Sequence, residues 1–244
     1  MHFDNSDLYY EHVARSAVNA PFHFVASKAI AAALAVQQGP LRVVVPDAVR
    51  CIDGPAVVAA THRSWLDIPL FVQATERAGL HHARPMAKGQ WFRNRFIGWV
   101  FHEWGAVALD RDKPNLNGIN LAFGAFLDAG NSVLAFTEGT RVQPDTGTVL
   151  QPKRTALVLA GQHRVPIVPL AIAGISVGDK RRPAGLGLPV VAVFGEPIVL
   201  PSVAAGETPS LRELLKQARL FADELHQAQQ VCMDTAYDMR LHQR

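Results

Sequence analysis

From residue 41 onward, short apolar runs alternate with longer stretches in which apolar residues recur at helical spacing. The apolar runs predict strands at residues 42–45, 56–60, 107–109, 133–136, 167–171 and 190–194. The amphipathic stretches predict helices at residues 66–77, 90–99, 116–128, 154–162 and 211–237. Strands that alternate with helices are typical of an α/β fold. We therefore predict a central mixed, largely parallel sheet that is flanked by helices.

The first forty residues follow a different pattern. Apolar positions at helical spacing predict a helix over residues 7–19, and Pro21 fits the first turn of a second, more apolar helix over 22–36. We predict an N-terminal amphipathic two-helix element over residues 1–40, followed by one α/β domain over 41–244. Such a helical pair either packs on the domain or lies on a membrane beside an acyl chain, and the two interpretations are compatible.

Composition narrows the cellular setting. The 244 residues are 49% hydrophobic, yet no apolar run is long enough to predict a spanning helix. The acidic, polar start does not resemble a secretory signal, and two cysteines, Cys51 and Cys232, suit a reducing compartment. The net charge of +3 permits an anionic small molecule, carrier or lipid surface as a partner. We expect peripheral association with the cytoplasmic face of a membrane and no nucleic-acid partner.

A histidine and an aspartate follow the predicted strand 56–60. His62 lies at the strand end, and Asp67 falls five positions later in the first turn of a predicted helix. The intervening turn can bring the carboxylate to one imidazole nitrogen, which prepares the other nitrogen to take a proton from an alcohol. The same spacing also fits a capping aspartate beside a surface histidine.

A polar block follows the predicted strand 133–136. Gly139 permits an unusual turn, Thr140 supplies a hydroxyl, and Arg141 offers a forked donor for phosphate. Glu138 can hold an arginine or the turn in place. A polar hairpin with one exposed ion pair is the alternative interpretation.

Cations and aromatic rings cluster in two further segments. Arg111 follows the predicted strand 107–109, and Lys88 precedes an aromatic-rich stretch over residues 91–104. Aromatic rings beside cations suit a membrane interface or the mouth of an acyl-chain pocket, although ordinary core packing explains most of them. The basic loop 180–182 is a further candidate for a membrane contact or a solvated charge run. Elsewhere, Pro166 and Pro169 predict a strand near a sheet edge or a ligand site.

Four blocks taken together resemble the glycerophosphate/lysophosphatidate acyltransferase family over residues 55–175. The matching positions are His62 and Asp67; Gly105 and Arg111, with Lys88 ahead of them; Phe136 and Glu138 to Arg141; and Pro166 and Pro169. The chain departs from the family pattern around the third and fourth blocks. Thr137, Val142 and Thr155 stand where the family usually has proline, serine and glycine.

The resemblance implies an O-acyltransferase of phospholipid biosynthesis. Such an enzyme moves a fatty acyl group from acyl-CoA or acyl-ACP to the free hydroxyl, at sn-2, of 1-acylglycerol-3-phosphate. It implies His62 and Asp67 as the catalytic pair, with Lys88 as an oxyanion or phosphate contact. It implies an acceptor-phosphate site made of Arg111, Glu138, Gly139, Thr140 and Arg141. No metal and no cofactor beyond the acyl thioester is expected.

Three alternatives remain open at this stage. Within the family, the acceptor is instead glycerol-3-phosphate, another lysolipid or a different alcohol. In another class, the segment 174–178 has the G-x-S-x-G pattern of a serine esterase with Ser176 as nucleophile, although a loop follows where that fold needs a helix. A non-catalytic lipid-binding protein would need no reactive histidine–aspartate pair.

Overall fold

The computed structural model describes residues 4–15, 21–22, 25–26, 28–29, 32, 40–64, 67–80, 82–110, 113, 115–142, 147–174, 189–201 and 209–241. Its strands are β1 Leu41–Val44, β2 Val57–Ala60, β3 Arg84–Lys88, β4 Val107–Leu109, β5 Val133–Phe136, β6 Ile167–Ala173 and β7 Val190–Phe194. Its helices are α1 Asp7–Arg15, α2 Asp47–Arg50, α3 Asp67–Ala78, α4 Gly89–Phe92, α5 Arg95–Glu103, α6 Leu116–Asp128, α7 Thr155–His163, α8 Leu211–Leu220 and α9 Ala222–Leu241.

The strands form one seven-stranded sheet in the order β1-β7-β6-β2-β5-β3-β4. The five strands from β6 to β4 run parallel, whereas β7 is antiparallel to β6 and β1 is parallel to β7. The α/β fold with a mixed, largely parallel sheet is thus confirmed. Because β2 and β5 are parallel neighbours, the segments that follow them meet at the same edge of the sheet, where ligand sites of open α/β sheets usually lie.

Alternation along β2 distributes side chains to two cores. Val57 and Ala59 pack on the face covered by α6 and α7, whereas Val58 and Ala60 pack on the face covered by α3. Helix α9 extends the first layer over β6 and β7 through Cys232, Met233 and Ala236. With helices on both faces, β2 is buried along its whole length, which explains its continuous apolar sequence.

Several elements differ from the sequence-based prediction. β3 was missed because its sequence, RPMAK, lacks the β-branched residues that favour strands. The predicted helix 90–99 is divided into α4 and α5, since the side chain of Asn94 accepts from the backbone N–H groups of Phe96 and Ile97 and starts a new helix. The predicted helix 211–237 is likewise divided at Phe221 into α8 and α9.

Of the two interpretations of Pro166 and Pro169, a strand near a sheet edge or a ligand site, the edge interpretation is wrong. Pro169 belongs to β6, which lies inside the sheet between β7 and β2, and Pro166 immediately precedes that strand. Pro169 is tolerated there because it lies opposite Gly195, one residue beyond the end of β7, and accepts the N–H of Gly195 at 2.9 Å. The reciprocal bond that an N–H at position 169 would donate is the one to Gly195, so the proline interrupts pairing only beyond the last residue of β7.

The N-terminal helix α1 is tied to the far edge of the sheet. Tyr9 and Tyr10 are buried in the main core, and the hydroxyl of Tyr10 donates to the carbonyl of Ala108 in β4 at 3.0 Å. Most of the predicted second helix, 22–36, lies outside the described residues. In the part of the chain that is described, no helix is both long and apolar enough to cross a membrane.

Candidate active site

His62 and Asp67 lie together at the carboxyl end of β2. His62 follows the strand by two residues, and Asp67 is the first residue of α3 in the described chain. Nδ1 of His62 lies 2.8 Å from Oδ2 of Asp67, and the same oxygen accepts from the backbone N–H groups of Arg63 and Ser64. The turn between β2 and α3 therefore fixes the carboxylate against the ring, as the spacing of five predicts.

The imidazole of His62 has one defined orientation. Because a carboxylate only accepts hydrogen bonds, the contact assigns a proton to Nδ1, and in the neutral imidazole Nε2 is then the acceptor. The ring stacks on Phe136 with centroids 4.3 Å apart, and Phe136 in turn packs against Phe71. His62 is only 6% exposed and lines a cavity, so its ring is largely shielded from bulk solvent.

A buried ion pair beside His62 was missed by the sequence analysis. Nη1 of Arg63 donates to both carboxylate oxygens of Glu138, at 2.8 and 3.0 Å, and Nη2 donates to the carbonyl of Thr148. The carboxylate also accepts the backbone N–H of His62 at 2.6 Å and that of Leu150 at 2.9 Å. The pair thus joins the ends of β2 and β5 to the segment 147–150.

Glu138 has a different position from the one predicted by the phosphate-site interpretation. Both of its oxygens are taken by protein donors, its side chain is fully buried, and it is not among the described residues that line the cavity beside His62. The negative carboxylate of Glu138 would also repel a phosphate. Of the two interpretations from the sequence, the structure shows Glu138 holding an arginine, and that arginine is Arg63.

A cavity of about 340 Å³ opens beside His62, between β3 and β5 on one side and α6 and α7 on the other. Its walls are mainly apolar and include Ile119, Phe123, Val133, Ala135, Ala156 and Leu159. Asp110, Asn120 and Thr155 add polar groups. Cavities of this kind, with few polar groups on apolar walls, are typical of small-molecule sites, which range from roughly 300 to 1,000 Å³.

Two lysines line the same cavity. Lys88, which was predicted as an oxyanion or phosphate contact, ends β3 and is exposed. Lys153, to which the sequence analysis gave no role, is also exposed and lies against Gly139. The φ of Gly139 is +70°, a conformation that favours glycine, and a Cβ atom there would approach Cε of Lys153 to 2.9 Å.

The other predicted phosphate residues lie around this opening or beyond the described chain. Gly139 lines the cavity, whereas Thr140 and Arg141 are exposed and are not among its described lining residues. The next residue, Val142, donates its N–H to the carbonyl of His62 at 2.8 Å, which keeps this segment beside the histidine. Arg111 lies outside the described residues, although its neighbour Asp110 lines the cavity.

Neither cysteine has a setting comparable to that of His62 in the described chain. Cys232 is buried, and burial raises the pKa of its thiol to about 12, so the thiol stays protonated at neutral pH. Cys51 is exposed after α2 and is not among the described residues that line the cavity. Ser176, the candidate esterase nucleophile, lies outside the described residues.

Comparisons with known proteins identify the family of the chain. A sequence model of the acyltransferase family matches residues 35–173, which include both His62 and Asp67. The 1-acyl-sn-glycerol-3-phosphate acyltransferase of Bacillus subtilis (strain 168) is 29% identical over 181 residues, which cover 71% of this chain and 85% of that protein. The crystal structure of PlsC, the 1-acyl-sn-glycerophosphate (LPA) acyltransferase of Thermotoga maritima, shares the fold with a TM-score of 0.52 at 23% identity, over 88% of this chain and 79% of that chain. The family match spans more than half of the sequence, and the chain therefore belongs to the acyltransferase family.

Proposed function

We propose that this acyltransferase moves a fatty acyl group from acyl-CoA or acyl-ACP to the free sn-2 hydroxyl of 1-acylglycerol-3-phosphate. The observation that carries the proposal is the contact of 2.8 Å between Nδ1 of His62 and Asp67 beside an apolar cavity that two lysines also line. The activity named for the Bacillus subtilis relative supports the choice of acceptor.

In the proposed reaction, Nε2 of His62 takes the proton of the acceptor hydroxyl as its oxygen attacks the thioester carbonyl carbon. The negative charge moves to the former carbonyl oxygen and returns as the carbon–sulfur bond breaks. The imidazolium then gives its proton to the thiolate, so the products are a new ester and a free thiol. Asp67 holds the ring and stabilises the imidazolium, as carboxylates do in related histidine bases.

The cations beside the cavity suit the phosphate of the acceptor. Lys88 and Lys153 can bind it together, with Gly139 leaving room for the lysine side chain. Arg141 and Arg111 follow the strands β5 and β4 and are proposed to add contacts once the acceptor is bound. Lys88 is also proposed to stabilise the oxyanion, because it ends β3, the strand adjacent to β5.

The apolar walls between α6 and α7 suit an acyl chain. Ile119 and Phe123 on α6 face the same cavity as Ala156 and Leu159 on α7. An acyl chain in this space would place its carbonyl near His62, while a phosphate remained near the lysines. Holding both reactants in this way converts a bimolecular encounter into a nearly unimolecular step.

The direct test supplies purified protein with palmitoyl-CoA and a panel of acceptors, and identifies the products by mass. The panel contains 1-acylglycerol-3-phosphate, glycerol-3-phosphate and lysolipids that lack a free phosphate monoester. We expect phosphatidate from 1-acylglycerol-3-phosphate. Ester formation with only the other acceptors would contradict the assigned acceptor, and release of free fatty acid alone would indicate a hydrolase.

A further inference from the structure

Gln229 is a polar residue on the buried face of α9, far from the catalytic block in sequence. It is fully buried, and its amide nitrogen donates to the carbonyl of Ala59 at 2.9 Å and to the hydroxyl of Thr137 at 3.0 Å. Both amide protons are therefore used. Its partners lie at the ends of β2 and β5, the strands that lead to His62 and Glu138.

Thr137 is the residue through which these elements meet. Its backbone N–H donates to the carbonyl of Ala60 at 3.2 Å, and its own carbonyl accepts the N–H of Lys153 at 2.7 Å. The side chain is buried beside the cavity, and its hydroxyl accepts from Gln229. One residue thus connects the end of β2, helix α9 and the segment that carries a cavity lysine.

We infer that the Gln229–Thr137 hydrogen bond is a positioning element of the active site, an inference that rests on the proposed function. The next residue after Thr137 is Glu138, whose carboxylate accepts the N–H of His62 at 2.6 Å. A fixed distance between the ends of β2 and β5 therefore fixes His62 against Glu138. The same bond holds Lys153 at the cavity through the carbonyl of Thr137.

The chemistry of α9 sets Gln229 apart from ordinary packing residues. Its buried neighbours on the helix, Leu225, Cys232 and Met233, contribute to the apolar cores. An amide among such residues must be satisfied by hydrogen bonds, because a buried polar group without a partner destabilises the fold. The bonds that satisfy it end at the two strand ends that carry the catalytic block, and not within its own helix.

The inference predicts a loss of turnover with little loss of substrate binding. Misplacement of a catalytic group by about 1 Å can cost roughly a hundredfold in rate. We expect Thr137→Val, which removes the hydroxyl at nearly constant shape, and Gln229→Leu each to lower kcat about tenfold or more. The KM values for both substrates should change less than about twofold. Thr137→Ser keeps the hydroxyl and should recover most of the lost kcat.

The experiment measures the thermal unfolding midpoint of both single variants and of their double variant. The kcat and KM values are then measured at a temperature well below each midpoint. The matched control is Gln227→Leu, a change at an exposed glutamine of the same helix. The double variant should lose no more kcat than the worse single variant, because Gln229→Leu already removes the bond that Thr137→Val breaks, together with the bond to Ala59. Unchanged kcat with only a lower midpoint, or losses that multiply in the double variant, would overturn the inference.

A spectroscopic measurement separates failure of this inference from failure of the proposed function. The low-field proton resonance of His62 Nδ1–H, assigned by its loss in His62→Gln, requires no substrate. Its exchange with water should accelerate in Thr137→Val and Gln229→Leu but not in Gln227→Leu. A protein that is inactive toward 1-acylglycerol-3-phosphate would contradict the proposed acceptor, but the proton-exchange measurement would still test the positioning role of Gln229 and Thr137. Equal exchange rates in all variants would contradict that role.

Discussion

Nη1 of Arg63 lies within 3.0 Å of both carboxylate oxygens of Glu138, and the two side chains are 3% and 0% exposed. The ion pair adjoins His62, because the same carboxylate accepts the backbone N–H of that residue. Within the described part of the chain, the hydrogen-bond partners of the two charged groups are each other and backbone groups. The pair therefore holds this part of the candidate site rigidly. Loss of either partner is expected to destabilise the fold strongly.

We predict that Glu138→Gln lowers the free energy of unfolding by about 3–5 kcal/mol, because Arg63 is then left as an uncompensated buried charge. The kcat should also fall, since the backbone of His62 loses a charged acceptor. Denaturant unfolding and steady-state kinetics measure the two effects, with the exposed Glu196→Gln as control. A loss below about 1 kcal/mol would show that the pair is not important for stability.

The two cavity lysines should control binding of the acceptor. Charge-assisted hydrogen bonds contribute about 1.5–3 kcal/mol, so Lys88→Met and Lys153→Met should each raise the KM for 1-acylglycerol-3-phosphate by about tenfold or more. Lys216→Met, at an exposed site on α8, should leave it unchanged. If Lys88→Met instead lowered kcat at constant KM, Lys88 would act on the oxyanion rather than on the phosphate.

The attachment of α1 should weaken at alkaline pH. Burial raises the pKa of Tyr10 to about 12, and the nearby charge of Asp110 adds to the effect. Between pH 10 and 12 the unfolded chain loses this proton while the folded chain keeps it, so the free energy of unfolding falls as the pH rises.

Denaturant midpoints measured at pH 8, 10 and 11 test this dependence. Tyr10→Phe should be less stable at pH 8 by about 1 kcal/mol, because the bond to Ala108 is lost. Above pH 10, the free energy of unfolding of Tyr10→Phe should also decline less steeply with pH than that of the wild type. A decline equal to that of the wild type would rule out Tyr10 as its source.

Helix α5 offers a face suited to a lipid surface. Phe96 is 71% exposed and Trp99 is 47% exposed, and the exposed Arg93 and Arg95 lie beside them. Phe22 of the N-terminal segment contacts Trp99, with ring centroids 5.1 Å apart. Aromatic rings beside cations are typical of proteins that bind anionic membranes at the interface.

We predict that the protein sediments with phosphatidylglycerol-containing vesicles at low salt and less so at high salt. Phe96→Ser combined with Trp99→Ser should reduce the bound fraction severalfold. Val231→Ser, at an exposed apolar site on α9, is the control. Equal sedimentation of the double variant and the wild type would place the membrane contact elsewhere on the molecule.

Much of the sheet was predictable because its strands are continuous apolar runs between turns. β4, β5 and β7 were predicted with the bounds that the structure shows, and the contact between His62 and Asp67 follows from a short turn. Local patterns of this kind are visible in a window of a few residues.

The remaining contacts depend on pairs that no local window contains. Arg63 and Glu138 are 75 positions apart, and Thr137 and Gln229 are 92 positions apart. Arg63 is buried beside His62, yet in the sequence it looks like a surface cation. Arg84 shows the same difficulty. It belongs to β3, a strand whose composition does not favour strand formation, and its guanidinium carbon lies 3.7 Å from the ring centroid of Phe126 on α6.

The central claim is that His62, held by Asp67, acts as the base. The chain offers a matched control in His163, which lies 2.9 Å from Asp128 at the carboxyl ends of α7 and α6 and is not among the described residues that line the cavity. The decisive measurement is kcat for His62→Ala and His163→Ala, with circular dichroism to verify that both variants fold. We expect His62→Ala to lose about 10²- to 10⁴-fold in kcat while His163→Ala keeps wild-type turnover. A folded His62→Ala protein with undiminished kcat would contradict the account.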